Sequence, residues 1–117
     1  MELANNKLSA ATLDFSAAIV NLVQSLVSSN ETVMSDSLGK CGTMIGAYIY
    51  ESQFAPTDEA YLSKLQSALD AANQTGYWLE LLFRTDYFTD VEFREWAEDC
   101  DAIRGMIISE IEGDEEL

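Results

Sequence analysis

Four segments of the chain place apolar residues three or four positions apart, the spacing of one face of an α-helix. They cover about residues 9–28, 32–54, 58–84 and 89–112 of the 117 residues. Only a few residues separate successive segments, and short connections favour antiparallel neighbours. No segment alternates apolar and polar residues as a β-strand does. The sequence therefore predicts an all-α fold, a single antiparallel up-down-up-down four-helix bundle over residues 1–117.

The breaks between the segments carry stop and start signals. Pro56 disfavours helical backbone at Ala55, and Thr57 is placed to cap the third helix. Thr89 with Glu92 three positions later has the spacing of a capping box for the fourth helix. Residues 113–117 are acidic, and we expect them to form a disordered tail.

Charge excludes several classes of function. The chain has 21 acidic residues, 6 basic residues and no histidine, so its formal charge is −15. Without histidine, the Ser-His-Asp and Cys-His arrangements of nucleophilic catalysis and the commonest metal ligand are missing. Direct binding to RNA or DNA is disfavoured because it needs cationic side chains that displace counterions from phosphates.

The C-terminal third carries most of the negative charge. Residues 86–117 hold 12 acidic residues against two arginines. Two interpretations stay open for this region. It is a solvated outer face that keeps the protein soluble, or it is a docking surface for a basic protein partner.

Cysteine usage and targeting signals bear on the compartment. Cys41 and Cys100 are 59 positions apart and form no CxxC motif, which favours free buried thiols in a reducing cytosol. The N-terminus lacks a basic segment followed by an apolar one, so no signal peptide is evident. No apolar run approaches the roughly 20 residues of a membrane span. We therefore expect a cytoplasmic protein that does not engage a membrane.

Aromatic residues exceed what one small core can bury. The chain has 12 of them, and large aromatic side chains outside a core favour an interface. The second and third helices carry several beside their core stripes, and we expect a homo-oligomer. The alternative is a wide core with ordinary scattered exposure. The predicted interface residues are Tyr48, Tyr50, Phe54, Tyr61, Tyr77 and Trp78.

Two glycines of the second helix lie on one face. Gly42 and Gly46 are four positions apart. Glycine in a helix interior costs about 1 kcal/mol relative to alanine, and close approach of a neighbouring backbone is the usual compensation. We therefore expect close helix packing at both positions.

Three segments carry a resemblance to a known family. They are GTMIGAYIYE at residues 42–51, KLQSALDAANQTGYWLELL at residues 64–82 and the turn TDYFT at residues 85–89. Together they resemble the bacterial four-helix bundle family encoded in intervening sequences of 23S ribosomal RNA genes. The resemblance covers about residues 8–111. Tyr48 departs from it, because the family pattern has asparagine there.

The resemblance implies an antiparallel bundle that assembles as a homopentamer. It also implies kinship with the accessory variability determinant of diversity-generating retroelements, a pentameric relative thought to bind nucleic acid and a reverse transcriptase. That relative depends on a basic surface, whereas this chain has only six basic residues. The fold is therefore expected to carry over better than a nucleic-acid role.

Glu51 and Glu80 match the family's acids in the second and third helices. One interpretation is a carboxylate pair for acid–base chemistry or a metal, although bundle metal sites use Glu-x-x-His pairs. The alternative is structural: each carboxylate accepts hydrogen bonds from facing groups such as Thr43, Thr75 or Tyr77. We favour the structural role and predict no catalytic, cofactor-binding or metal-ligating residue.

Tyr77 and the adjacent Trp78 allow two interpretations. They could stack a nucleic-acid base or clamp a ligand, but paired aromatics are more often anchors of a core or an interface. The sequence as a whole therefore favours a non-enzymatic homo-oligomeric scaffold. The alternatives are an accessory protein that binds nucleic acid or a reverse transcriptase, and an enzyme that uses Glu51 and Glu80.

Overall fold

A computed structural model describes the backbone of residues 2–115 and the side chains of residues 7–113. The described backbone forms four α-helices joined by short turns, with no strand among these residues. The predicted all-α fold is confirmed. The helices are α1 (Glu2–Ser28), α2 (Val33–Ser52), α3 (Asp58–Arg84) and α4 (Asp90–Glu115).

The helices pack as the corners of a square. α1 contacts α2 and α4, and α3 contacts the same two helices. α2 and α4 therefore lie at opposite corners, as do α1 and α3. The turns are too short to cross the bundle, so successive helices run antiparallel, and the bundle measures 46 × 22 × 19 Å.

The core lies between the inward faces of the four helices. Each helix directs one apolar stripe inward, and burying a large aliphatic side chain stabilises the fold by about 1.5–3 kcal/mol. The fully buried aliphatic residues are Leu8, Ile19, Leu38, Ile45, Ile49, Leu65, Leu79, Leu82 and Ile107.

Gly42 and Gly46 lie where α2 crosses α1. A Cβ atom added at Gly42 would lie 2.9 Å from Cγ2 of Ile19, and one added at Gly46 would lie 2.9 Å from Oγ of Ser16. Contacts this short would force the helices apart. The two glycines therefore set the separation of α1 and α2.

The helix starts follow the capping signals. Thr57 Oγ1 accepts a hydrogen bond from the Ala60 backbone N–H at 3.1 Å. At the start of α4, Thr89 Oγ1 accepts from the Glu92 N–H at 3.2 Å, and Glu92 Oε1 accepts from the Thr89 N–H at 2.9 Å. This reciprocal pair is a capping box.

The outer helix ends differ from the expected boundaries. α1 begins at Glu2, seven residues before the expected start at residue 9. Its first turns contain good helix formers, and Leu8, which is 1% exposed, extends the core stripe. Residues 113–115 of the expected disordered tail belong to α4, and residues 116–117 lie outside the described residues. No proline interrupts this acidic end, so the helix continues.

Candidate functional site

Two neighbouring faces of the bundle, which share α2, carry the three most exposed aromatic residues among residues 7–113. The first, here the α1–α2 face, has a cleft of about 710 Å³ between the two helices. Leu13, Tyr50 and Phe54 are 71%, 61% and 70% exposed, and the Tyr50 and Phe54 rings are 5.4 Å apart. This much exposed apolar surface in one place is unusual for an isolated subunit.

The flank of α1 beside this cleft extends the apolar surface along the bundle. Its outward positions are four and three residues apart in alternation, the spacing of a helix-packing stripe. Residues 15–30 contain no charged side chain. The exposed positions of the stripe are Leu13, Ala17, Val20, Gln24 and Val27.

The second face, here the α2–α3 face, has a cleft of about 690 Å³. Met44 and Tyr48 of α2 and Tyr77 and Trp78 of α3 line it. The rings of Tyr77 and Trp78 meet edge-on at 5.1 Å. Tyr77 is exposed, whereas the other three pack partly against the core.

Tyr61 was predicted to lie at an oligomer interface, but the structure buries it inside the subunit. Its ring is 3% exposed, and its hydroxyl donates to Oε1 of Glu110 at 2.9 Å. α4 thus covers the ring and satisfies its polar end, as a buried tyrosine requires. Tyr61 is therefore a core residue of one subunit, while the other five predicted interface residues lie on the two faces.

Leu13 and Val20 are surface residues that the sequence reasoning missed. Each directly follows a buried residue of α1, Thr12 or Ile19, and lies on the outer side of the helix. The available signal was the second stripe of α1, because residues 15–30 contain no charged side chain although the chain has 21 acidic residues.

Glu51 pairs with a lysine of the facing helix. Its Oε1 lies 2.7 Å from Nζ of Lys64, and the same ammonium sits 5.7 Å from the centre of the Tyr48 ring. The pair links α2 to α3 at the edge of the α2–α3 face. The predicted partners of Glu51, a threonine or Tyr77, are wrong, because the carboxylate pairs with the ammonium of Lys64 instead.

Glu80 lies far from Glu51. Its Oε2 pairs with Nε of Arg84 at 3.2 Å, one turn along the same helix. Lys64, the partner of Glu51, is 16 positions earlier in α3, which is about 24 Å along a helix axis. The structure therefore does not bring Glu51 and Glu80 together as a carboxylate pair.

The hydroxyls of Thr43 and Thr75 donate hydrogen bonds to backbone carbonyls of their own helices. The Thr43 hydroxyl donates to the Gly39 carbonyl at 2.6 Å, and the Thr75 hydroxyl donates to the Ala71 carbonyl at 2.7 Å. Such bonds make a hydroxyl acceptable in a helix. Thr75 is fully buried, so its role is structural. Neither hydroxyl donates to a glutamate carboxylate in these hydrogen bonds.

Both cysteines are buried and free. Burial raises the pKa of the Cys100 thiol to about 11, with a smaller contribution from nearby Asp101. Burial also raises the pKa of Cys41, partly opposed by a hydrogen bond with Thr75. A thiol must lose its proton to act as a nucleophile or metal ligand. Within residues 7–113, no cluster of three cysteine or acidic side chains could hold a metal ion.

α4 forms a strongly acidic outer face at the corner opposite α2. The helix contains ten acidic residues and two arginines, a net charge of −8. One of these arginines, Arg104, lies 3.6 Å from Asp101 and also donates to Asn73. The exposed acidic side chains are Asp90, Glu92, Glu95, Glu98, Asp99, Asp101 and Glu112.

One described helical segment, Lys7–Ser28, is long and apolar enough to cross a membrane by length and composition alone. About 22% of that window is buried inside the bundle, and it lies near the N-terminus. The core helix of a soluble protein and a signal sequence have the same length and composition.

Comparisons with known proteins place the chain in a family. No functionally curated protein matches it. A solved protein of unknown function from the S23 ribosomal protein family of Bacteroides thetaiotaomicron is 39% identical and superimposes with a TM-score of 0.91. The match covers 93% of this chain and 98% of that one. The model of the 23S rRNA-intervening sequence protein family matches residues 5–109. The chain therefore belongs to the family of 23S rRNA-intervening sequence proteins.

Proposed function

We propose that this protein is a non-enzymatic scaffold of the cytoplasm that assembles as a homo-oligomer, a pentamer by family resemblance. In this role it presents the acidic face of α4 to a basic protein partner. The observation that carries the proposal is the exposure of Leu13, Tyr50, Phe54 and Tyr77 in a subunit whose core is already complete.

The charge distribution supports different roles for different surfaces, with self-association beside α2 and partner binding on α4. The aromatic faces flank α2, whereas the net charge of −8 on α4 lies at the opposite corner. A patch of one sign steers partners of the opposite sign and excludes others. α4 therefore suits a cationic protein.

The arrangement of ionisable groups supports a non-catalytic role. Glu51 and Glu80 are each paired with a cation and stand far apart, and burial keeps both thiols protonated. Catalytic acids and bases instead converge on one pocket with shifted pKa values. No such convergence links these residues.

Light scattering coupled to gel filtration tests the assembly. At micromolar concentration we expect a mass that is a multiple of the 13.0 kDa subunit, with five subunits as the expected number. A single species of 13 kDa would overturn the scaffold proposal.

Neutralising acidic residues tests the partner surface. The triple variant Glu95→Gln, Glu98→Gln and Glu112→Gln removes three charges from α4, and the control Asp36→Asn, Asp58→Asn and Glu59→Gln removes three elsewhere. With a decalysine peptide as probe, we expect at least fivefold weaker binding for the α4 variant and a smaller loss for the control. Equal losses would show that only net charge matters and would reject a docking face.

A nucleic-acid accessory role is the alternative that the retroelement relative suggests. Lys64, Arg84 and Arg104 are each within 4.0 Å of a carboxylate oxygen, which leaves little cationic surface for phosphates. We expect no binding to RNA or duplex DNA at low salt. Salt-dependent binding there would favour the accessory role over the scaffold.

A further inference from the structure

We infer that copies of this protein join head to tail, with the α1–α2 face of one copy docked onto the α2–α3 face of the next. Repeated contacts of this kind close a ring with α2 at the centre and α4 on the outer rim. The inference rests on the proposed homo-oligomer and adds to it which surfaces meet and which stay free.

Charge identifies a second copy as the occupant of these faces. Each chain carries −15, so two copies attract only where their contact surfaces are neutral. The charged residues that line the two clefts are Glu51, Lys40 and Asp70, and Glu51 is paired with Lys64. The two faces together are therefore balanced, whereas a contact through α4 would oppose two strongly negative helices.

The size of the faces suits a stable contact. α1 and α3 have 27 residues each and α2 has 20, which gives lengths of about 40 and 30 Å at 1.5 Å per residue. Two neighbouring helices present a width of about 20 Å. Each face therefore offers on the order of 800 Å², the area that each partner contributes to a stable protein–protein interface.

The two faces also differ in their side chains, as the two sides of a head-to-tail contact do. The α1–α2 face projects exposed side chains, among them Leu13 and Phe54, beside an uncharged stripe. The α2–α3 face offers an open aromatic cleft of about 690 Å³. Exposed apolar side chains of the first face can pack against the aromatic lining of the second.

The position of the two faces determines how the assembly closes. A contact between the same face of two copies gives a dimer, and contacts through opposite faces give an open filament. These faces are instead adjacent sides of a square bundle that share the α2 corner. With the shared corner at the ring centre, an angle of about 90° between the faces closes a ring of four, and a narrower angle of about 72° closes five.

The same geometry assigns the inside and the outside of the ring. The corner between the two contact faces points to the ring centre, so α2 lines it. α4 lies at the opposite corner and faces outward on every copy. The most negative helices are thereby kept as far apart as the ring allows, and each remains open to a partner.

Three single substitutions test the inference. Leu13→Glu places a charge on the α1–α2 face, Tyr77→Glu places one on the α2–α3 face, and Val91→Glu places one on α4. All three positions are between 59% and 71% exposed, so each variant retains its core. Circular dichroism checks that helix content is unchanged, and light scattering gives the mass.

We expect Leu13→Glu and Tyr77→Glu each to fall to the 13.0 kDa subunit, whereas Val91→Glu keeps the wild-type mass. An equimolar mixture of the first two should form a species of about 26 kDa, twice the subunit. Each of these variants keeps one intact face, and only a head-to-tail contact lets the two intact faces meet.

The outcomes separate this inference from the proposed function. A wild-type monomer would reject both. A wild-type oligomer that survives both face substitutions, or a mixture that forms no 26 kDa species, would reject the head-to-tail contact and leave the homo-oligomer standing. A Leu13→Glu effect without a Tyr77→Glu effect would indicate a same-face dimer or another protein on α1, and would equally reject the ring.

Discussion

Gly42 and Gly46 bring α2 against α1 because neither residue has a side chain to hold the two helices apart. Ile19, Ser16 and the Thr12 carbonyl occupy the space that a Cβ atom would need. Gly105 of α4 is the opposite case, because an added Cβ would meet nothing within 4 Å. Glycine therefore allows close helix packing in α2, whereas no packing contact requires it at Gly105.

This contrast predicts opposite effects of one substitution. Gly42→Ala should lower the free energy of unfolding by about 1–2 kcal/mol, because overpacking outweighs the gain in helix propensity. Gly105→Ala should raise it by about 0.5–1 kcal/mol, since only the propensity gain remains. Urea denaturation of the two variants measures both. Stabilisation by Gly42→Ala would mean that Ile19 moves aside freely and that the helices are not in close contact there.

At the scale of the helices, local capping signals determine where each helix begins and ends. Packing between helices determines which side chains stay exposed. Pro56, Thr57 and the Thr89–Glu92 pair marked the helix ends that the structure has, because these signals act within one turn of backbone. Tyr61 was misplaced because sequence periodicity locates a residue on a helix but does not say which flank a neighbouring helix covers. α4 covers the flank that holds Tyr61, while no helix covers Tyr50 or Tyr77.

The early start of α1 has a similar origin. The polar residues around Asn5 and Asn6 resemble a loop when read alone, whereas Leu8 buried against the other helices supports the preceding turns. Periodicity detects a stripe once it has several members, so a single anchoring residue near a terminus gives too weak a signal. The candidate faces were likewise found where aromatics cluster and missed along the aliphatic flank of α1.

The capping box of α4 can be tested at this scale. Thr89→Ala removes the acceptor for the Glu92 N–H and should cost about 0.5–2 kcal/mol of stability. Thr89→Ser keeps the hydroxyl and should cost distinctly less. Thermal unfolding of the two variants beside the wild type measures the difference. Equal losses would assign the effect to the methyl group rather than to the cap.

At the scale of the whole molecule, charge and apolar surface occupy opposite sides of the bundle. α4 holds a net −8 of the total −15, and α2, diagonally across, borders both aromatic faces. Association of such subunits gains from burying apolar area and loses from the repulsion of like charges. The stability of an oligomer therefore depends on the ionic strength.

That balance gives a prediction with a definite sign. A ring of five would carry −75 formal charges, five times −15, and salt screens their repulsion over a length of about 10 Å at 0.1 M. Raising sodium chloride from about 0.05 to 0.5 M should therefore shift dissociation to lower protein concentration, as followed by light scattering on dilution. The variant with Glu95, Glu98 and Glu112 changed to glutamine should show a smaller shift, because it has less repulsion to screen. Dissociation on adding salt would instead show that attractive ion pairs join the copies, and the neutral faces around α2 would then not be the contact surfaces.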